Sequence, residues 1–593
     1  MPENKMNNLL KGMISGGRKA VFVGAAALAF SLSASSAMAQ ERVGDFALLD
    51  QDGLFHHMAW YDNNKAIAFL VQASGDAATE ASLASFNAMK AQYADQGIVF
   101  MMINPLGEPR ATVKADAERL GIDIPVLIDD AQIIAKAMGV DKTGEAFVYD
   151  PKTFQVIYRG PADAPLADAL AAVVADEAVP NAMVATQGTP VSYRSLDQLA
   201  QSGVSYSEDV APILAENCAS CHREGGIAPF ALNSHTMAQG WSPMIREVLM
   251  TKRMPPGQID PHIGNFRNHY TLTPEEQQKV IQWIAAGSVK DGNSDPLAEL
   301  TWSQEKWAFG EPDLIVKVPP QQIPATGVLD YIDVVVPLEG HTRDRWVRAS
   351  QYVPGDRTVL HHTLNAFIVP GERPSQGLIT RFSNPDQAYI TPYIPGADPH
   401  VEEPNTGGLL RAGTQLALNL HYTTTGKETV DASEIGIWFY PDDQIPTERR
   451  LGDCACIFTP TWTDIPAYDP DFEQTAEVLI TTDAEIMAFT PHMHFRGKRM
   501  VFDAHYPDGS VERLLNIAQY NYNWQMEYQL VEPKFVPAGT RVVVTGAFDN
   551  SEQNKANPDP SRVVPWGQQS WDEMFFGQVY WKEVKSNPEV SSN

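Results

Sequence analysis

Three periodicities succeed one another along the chain. Between residues 40 and 165, apolar runs such as "AIAFLVQAS" and "GIVFMMINP" show no polar alternation, which predicts parallel strands buried on both faces. "EASLASFNAMKAQYA" repeats its apolar positions at helical spacing, and "AFVYDPKTFQVIYRG", after "IPVLIDD", reads as a hairpin. From 204 to 296 the period is helical, in "DVAPILAENC" and again in "TLTPEEQQKVIQWIAAGS". In the second run Thr273 is placed as N-cap, Pro274 as first helical residue, Glu276 as capping-box partner and Gly287 as the stop. Beyond 311 come short strands punctuated by Pro and Gly: "DLIVKVPP", "YIDVVVPL", "RWVRASQYVP", "LHHTLNAFIVP", "TQLALNLHYTTTG" and "SEIGIWFYP". They predict two successive sandwiches divided near 445–453. The fold class is therefore multidomain: an α/β layer at 40–165, an all-α domain at 204–296, and two all-β, jelly-roll-like sandwiches at 311–450 and 451–585. Linkers are placed at 166–203 and 297–310, and a tail at 586–593.

A chain of 593 residues is too long for one core, which agrees with several domains. Its net charge of −29 argues against nucleic acid as a partner. Residues 1–39 read as a secretory signal: Lys5, Lys11, Arg18 and Lys19, the apolar run "AVFVGAAALAF", then "SASSAMA" before Gln40. That run is too short to span a bilayer comfortably, and no later stretch is long enough. A periplasmic or secreted protein with no membrane span is expected.

Only four cysteines occur, so a disulfide framework is excluded and two local chemistries remain. Cys218, Cys221 and His222 make C-x-x-C-H, the attachment signature of c-type haem, in which two thiols add to the vinyl groups and the imidazole ligates iron. A redox pair or half a zinc site is the alternative, but no second ligand pair lies nearby. Met254, in "TKRMPPGQ", is the expected sixth ligand, because two prolines stiffen the loop that would present its thioether. Met237, Met244 and Met250 compete for that role from helical sequence. Cys454 and Cys456, in "LGDCACIF", are expected to be a local disulfide, with capture of Cu(I) by two thiolates as the alternative.

Histidines mark the β half. His492 and His494, in "FTPHMHFRGKRM", would stand on one face of a strand, a good geometry for two ligands of one metal. His361 and His362 are adjacent and can share a metal only at a strand end or a bulge. His421 stands at a predicted strand end.

Three resemblances cover most of the chain. The opening "VGDFALLDQDGLFHHMAW" and the order of elements after it resemble the redoxin family, which implies a thioredoxin-like layer. Where that family has its reactive cysteine this chain has "QASGDAATEAS", and Gly144 stands where the family usually has proline. Its thiol chemistry is therefore absent, and a docking or scaffolding role is expected. Residues 204–289 resemble class I-like cytochrome c domains with a "MPP" loop. Finally, "VLHHTLNAFIV", "TQLALNLHYTTTG", "FTPHMHFRGK" and "QQSWDEMFFGQVYW" follow the order and spacing of the copper type II, ascorbate-dependent monooxygenases, which include the peptidylglycine and dopamine β-hydroxylating enzymes. By that resemblance His361, His362 and His421 are ligands of an electron-transfer copper. His492, His494 and Met574 are ligands of an oxygen-activating copper, and hence its catalytic residues.

Imidazole suits both copper oxidation states, and a thioether favours Cu(I). Zinc hydrolysis would instead want a carboxylate base near three hard ligands. The peptide-hydroxylating members carry an Arg two residues before their first oxygen-site His and a Tyr four residues after their Met. Here Thr490 and Gln578 stand there, which tells against a C-terminal glycine peptide as substrate. The reading is a copper monooxygenase with two copper ions and one covalent haem c. It would hydroxylate a C–H bond of an organic small molecule or peptide with O2, and draw electrons from an external donor through a haem tethered by the short second linker. The alternative is an electron-transfer or copper-binding protein that hydroxylates nothing.

Overall fold

Ala66–Val71 and Ile98–Asn104 pair in parallel at the centre of a seven-stranded sheet, and every residue of the first is buried. Continuous burial on both faces is what their unbroken apolar runs require. The computed structural model describes residues 42–257, 259–267, 269–303, 305–370, 388–396 and 399–584. The signal reading and the tail lie outside the described residues.

Across this sheet the strand order is Phe55–His57, Ala47–Asp50, Val126–Ile128, Ile98–Asn104, Ala66–Val71, Glu145–Asp150 and Gln155–Pro161, the last two forming the expected hairpin. Helix Ala77–Tyr93, N-capped by Asp76, packs Leu83, Phe86 and Met89 onto one face. The same core takes Leu166, Ala169 and Leu170 from helix Ala164–Val174, so the layer runs past the expected boundary at 165. Val191, Tyr193 and Leu196 are likewise buried, against the opposite face. The stretch placed as a linker is thus part of the layer, because its apolar residues find a sheet face to cover.

The helical region contains Ala211–Asn217, His235–Met250 and Pro274–Ala285 around Tyr206, Trp283 and Val280. Thr273 and Glu276 form the expected reciprocal capping box at the start of the third helix, and Gly287 lies just beyond its end. This region is not an independent bead. Met250 enters the core of the seven-stranded sheet, while Ile259 and Phe266 enter that of the C-terminal sandwich.

Further on, a three-stranded sheet, in the order Ile332–Pro337, Gln415–Tyr422, Leu360–Ile368, faces a six-stranded one built around Arg345–Val353. Leu416, Leu418 and Leu420 on the first sheet pack with Val347, Ile435 and Ile437 on the second. The last two sheets have four strands each. Leu451–Ile457, Phe575–Glu583, Ala484–His492 and Tyr528–Val536 form one; Phe472–Leu479, Arg541–Phe548, Gly497–His505 and Val511–Ile517 form the other. Ile486, Phe489 and Val579 meet Phe502 and Val544 in the core between them.

Candidate functional site: a histidine cluster beside a C-x-x-C-H cavity

His362 and His421 are direct cross-strand partners on Leu360–Ile368 and Gln415–Tyr422, with ring centroids 3.9 Å apart. The register shifts between Leu360 and His362, so a bulge falls where the adjacent histidines needed one. It brings His361 Nδ1 to 2.6 Å from His362 Nδ1. His421 is held from two sides: its Nε2 meets Asn419 Oδ1, and the Tyr331 ring stacks on it at 3.3 Å and 11°.

On the other sandwich, His492 is the last residue of Ala484–His492 and His494 lies beyond the strand. The two rings are 5.2 Å apart at 84°, side by side because the chain turns there and not because they alternate along a strand. His492 Nδ1 is 2.6 Å from Gln525 Oε1, and His494 Nδ1 is 3.2 Å from the Asp572 carbonyl. Both oxygens accept from Nδ1–H, which leaves Nε2 as the bare nitrogen of each ring. Glu573 organises the turn: its carboxylate accepts the N–H of His494 at 2.9 Å and of Arg496 at 2.7 Å. Met574, the next residue, is buried with Phe576 and packs with Leu364, Cys454 and Cys456. Its thioether thus sits in an apolar cluster shared by both sandwiches. Cys454 and Cys456 form a disulfide.

The histidines of the two expected triads form one patch, since His362 and His492 have centroids only 5.9 Å apart. As they stand, the rings are not drawn in tightly: no group of three or more His, Cys, Asp or Glu among the described residues is closed to metal-holding geometry. The donor chemistry nonetheless fits a metal. His362 Nε2, His421 Nδ1, His492 Nε2 and His494 Nε2 are buried with no hydrogen-bond partner, an arrangement that costs free energy unless something binds them. Burial pushes the His361 and His492 imidazoles down to about 4; burial and then mutual repulsion hold His362 well below its usual range. Neutral imidazoles are the form that ligates.

A cavity of about 140 Å³ opens from His362 and His492 between the sandwiches, with Tyr389, Thr490, Phe576 and Gln578 among its walls. Deeper in its lining, the Arg450 guanidinium pairs with Glu527 at 2.9 Å and lies 4.5 and 4.3 Å from the Tyr389 and Tyr580 ring centroids.

A second cavity, of about 380 Å³, carries Cys218, Cys221 and His222 on one wall. Cys218 ends helix Ala211–Asn217, and His222 N–H donates 2.9 Å to the Cys218 carbonyl, so one turn presents all three side chains. No disulfide joins the two thiols, and burial, reinforced by Cys221, pushes Cys218 up to about 12. His222 Nδ1 lies 3.2 Å from the Phe230 carbonyl, which leaves Nε2 facing elsewhere. Met254 lines the same cavity and so does Met244, whereas Met250 belongs to the seven-stranded sheet's core. The mostly apolar lining with a thiol pair, an imidazole and a thioether fits a covalently held haem. His361, Asn523 and Trp524 complete the lining.

Sequence reasoning missed the loop Tyr522–Gln525, "YNWQ". Tyr522 stacks on His361 at 4.7 Å, Asn523 Oδ1 lies 3.3 Å from His361 Nε2, Trp524 faces the second cavity, and Gln525 holds His492. Nothing in its composition marks it; only the tandem of aromatic and amide side chains just before a strand hints at a binding role. Glu573 was legible only as the middle residue of "DEM".

Part of the chain is similar to known proteins. No family model matches the chain. A stretch of 106 residues, 18% of the chain, is 28% identical to the thiol-disulfide oxidoreductase ResA of Geobacillus thermodenitrificans, and it spans 60% of that relative's length. Among solved structures, peroxidoxin BcpB of Mycobacterium tuberculosis is 21% identical, with 23% of this chain and 96% of that one covered and a TM-score of 0.21. A thioredoxin-family thiol:disulfide interchange protein of Chlorobium tepidum is also 21% identical, with 21% and 87% covered and a TM-score of 0.18. The N-terminal layer is thioredoxin-like. At the tip of its first long strand, however, stand Gln72, Ala73 and Ser74, tied to Asp116 and Glu108 by hydrogen bonds of 3.0 and 2.9 Å, with no thiol. Gly144, before the hairpin, has φ +70, and a Cβ there would stand 2.7 Å from the Ala78 carbonyl oxygen, so the turn admits only glycine.

The layer docks onto the rest through Asp260. Its carboxylate takes both terminal nitrogens of Arg110 and the Asn516 side-chain amide, which also donates 3.0 Å to the Gly53 carbonyl. The helical region, the layer and the last sandwich meet at these residues. The region bearing the C-x-x-C-H is therefore held by packing against both neighbours as well as by the short linker expected at 297–310, where Leu297 and Trp307 are themselves buried.

Proposed function

We propose that this chain is an exported oxidoreductase, a copper-dependent monooxygenase that hydroxylates a C–H bond of a small organic substrate with O2 and receives electrons through a covalently attached haem c. The observation carrying the proposal is the convergence of five histidines from two sandwiches, four of them with a buried, partnerless ring nitrogen. Bound copper would supply O2 activation at His492, His494 and Met574 and electron storage at His361, His362 and His421. The chain's own side chains supply orientation. Gln525 and the Asp572 carbonyl hold the Nδ1–H of the two oxygen-site rings, and Glu573 fixes the turn between them and Met574. The 140 Å³ cavity beside His492 supports a small substrate, positioned by Thr490 and Gln578 against the Tyr389 and Phe576 rings. Thr490 supplies no guanidinium to clamp a peptide C-terminus, and the Arg450 guanidinium in the same cavity is paired with Glu527.

Export rests on the secretory pattern of the first residues, and no helix among the described residues is long and apolar enough to cross a membrane. The similarity to a thiol-disulfide oxidoreductase supports the same broad class of chemistry, but the cysteine-less layer serves here as a docking element. An external periplasmic reductant would restore the haem.

A second reading, a copper-binding or electron-transfer protein without hydroxylation, is supported by the same histidines and C-x-x-C-H cavity. Screening metabolite extracts with purified, reduced, copper-loaded protein separates the two. The monooxygenase consumes O2 in step with a product one oxygen heavier, labelled by 18O2, whereas the carrier yields no labelled product.

A further inference from the structure

We infer that Trp524 and His361 form the electron bridge between the C-x-x-C-H cavity and the histidine cluster; this rests on the haem and copper reading above. The two side chains line the same cavity as Cys218, Cys221 and His222. His361 also belongs to the cluster, because its Nδ1 stands 2.6 Å from His362 Nδ1. A single imidazole thus borders both compartments, with Asn523 Oδ1 at 3.3 Å from its Nε2 and Tyr522 stacked on its face.

Trp524 closes the remaining gap. Gly396 has φ +78, and a Cβ built on it would stand 3.5 Å from Cys221 Sγ and 3.9 Å from the Trp524 ring. The sulfur that would attach haem and the indole therefore both lie within contact distance of one point beside Gly396. The path from porphyrin edge to copper ligand then runs Cys221, Trp524, His361, through groups whose π or sulfur orbitals couple better than saturated side chains. One residue further along the same loop, Gln525 orients His492, so movement of this loop would alter the bridge and the oxygen site together.

With haem held by Cys218, Cys221 and His222 and copper by the histidine cluster, the bridge would carry one electron and no proton, ferrous haem becoming ferric as cupric copper becomes cuprous. A periplasmic one-electron donor then restores the ferrous haem. No bond forms or breaks in the chain.

The test uses the full chain, matured with haem and loaded with copper, held oxidised and anaerobic. A flash-generated flavin radical delivers one electron, and haem reoxidation is followed optically. The expected wild-type decay is first order, independent of protein concentration and absent from copper-free protein. Trp524→Leu should slow it at least tenfold, while the haem spectrum, haem content, copper content and melting temperature stay unchanged; Trp524→Phe, which keeps a ring, should stay within threefold. A decay in Trp524→Leu within twofold of wild type, with those controls intact, overturns the bridge while leaving the copper and haem reading standing. Protein with neither covalent haem nor copper overturns that reading and the bridge with it, and a wild-type decay indifferent to copper overturns the bridge.

Discussion

His494 and Glu573 are joined main chain to side chain: the His494 N–H donates 2.9 Å to Glu573 Oε2. The other oxygen takes the Arg496 N–H, and the wholly buried Arg496 guanidinium lies 4.0 Å away. One carboxylate thereby ties the turn after the H-x-H pair to the residue preceding Met574. Glu573→Ala is expected to cost about 3 kcal/mol, because it leaves the buried N–H groups of His494 and Arg496 without their acceptor. Copper retention should fall as well, because the turn no longer positions His494. Urea melts and metal analysis of Glu573→Ala and Glu573→Gln check this; equal midpoints for both variants and wild type would refute it.

Copper-loaded protein should hold two ions per chain. His421→Ala should bring the count towards one by mass spectrometry, with His492 and His494 still loaded. Because the His362 ring lies 3.9 Å from His421 and 5.9 Å from His492, copper losses from His362→Ala and His492→Ala should not add. Strict additivity would sink the shared-cluster view, and zinc surviving mild treatment with a copper chelator would sink the copper reading.

With haem-attachment machinery present, a pyridine haemochrome assay should return one haem per chain, since one C-x-x-C-H occurs. Cys218→Ala should leave it poorly attached. Both Met254 and Met244 line the cavity, so the red-edge absorption band of thioether ligation assigns the sixth ligand. Met254→Leu should abolish the band and lower the haem potential, and Met244→Leu should spare both; the opposite pattern reassigns the ligand.

Asp129 gives stability a pH dependence. Burial pushes its carboxyl up to about 7, opposed by the 2.8 Å hydrogen bond from Ala135 N–H. Between the ordinary carboxylate value near 4 and about 7 the folded chain keeps a proton that the unfolded chain has released. Stability from this group is therefore complete below that window and is lost as pH rises through it, by up to about 1.4 kcal/mol per pH unit. Asp129→Asn should gain on wild type in melting temperature from pH 4.5 to 7.5; parallel curves would remove the assignment.

Local elements and the chemistry of each ligand type were legible in the residues alone. Unbroken apolar runs could only be doubly buried strands, Thr273 and Glu276 could satisfy a helix start from within four residues, and C-x-x-C-H states its own spacing on one turn. Even the bulge at His361 and His362 was legible, since a regular strand would have parted them. Tertiary structure alone decided what meets what. His362 and His492 are 130 positions apart, and no periodicity encodes the packing of one sandwich end on another that brings their rings to 5.9 Å. The placing of His361 on the haem cavity wall, the Asp260 junction and the loop Tyr522–Gln525 were invisible for the same reason. Local propensity acts over a few residues, whereas these contacts arise from burying the surfaces that each separate element leaves exposed.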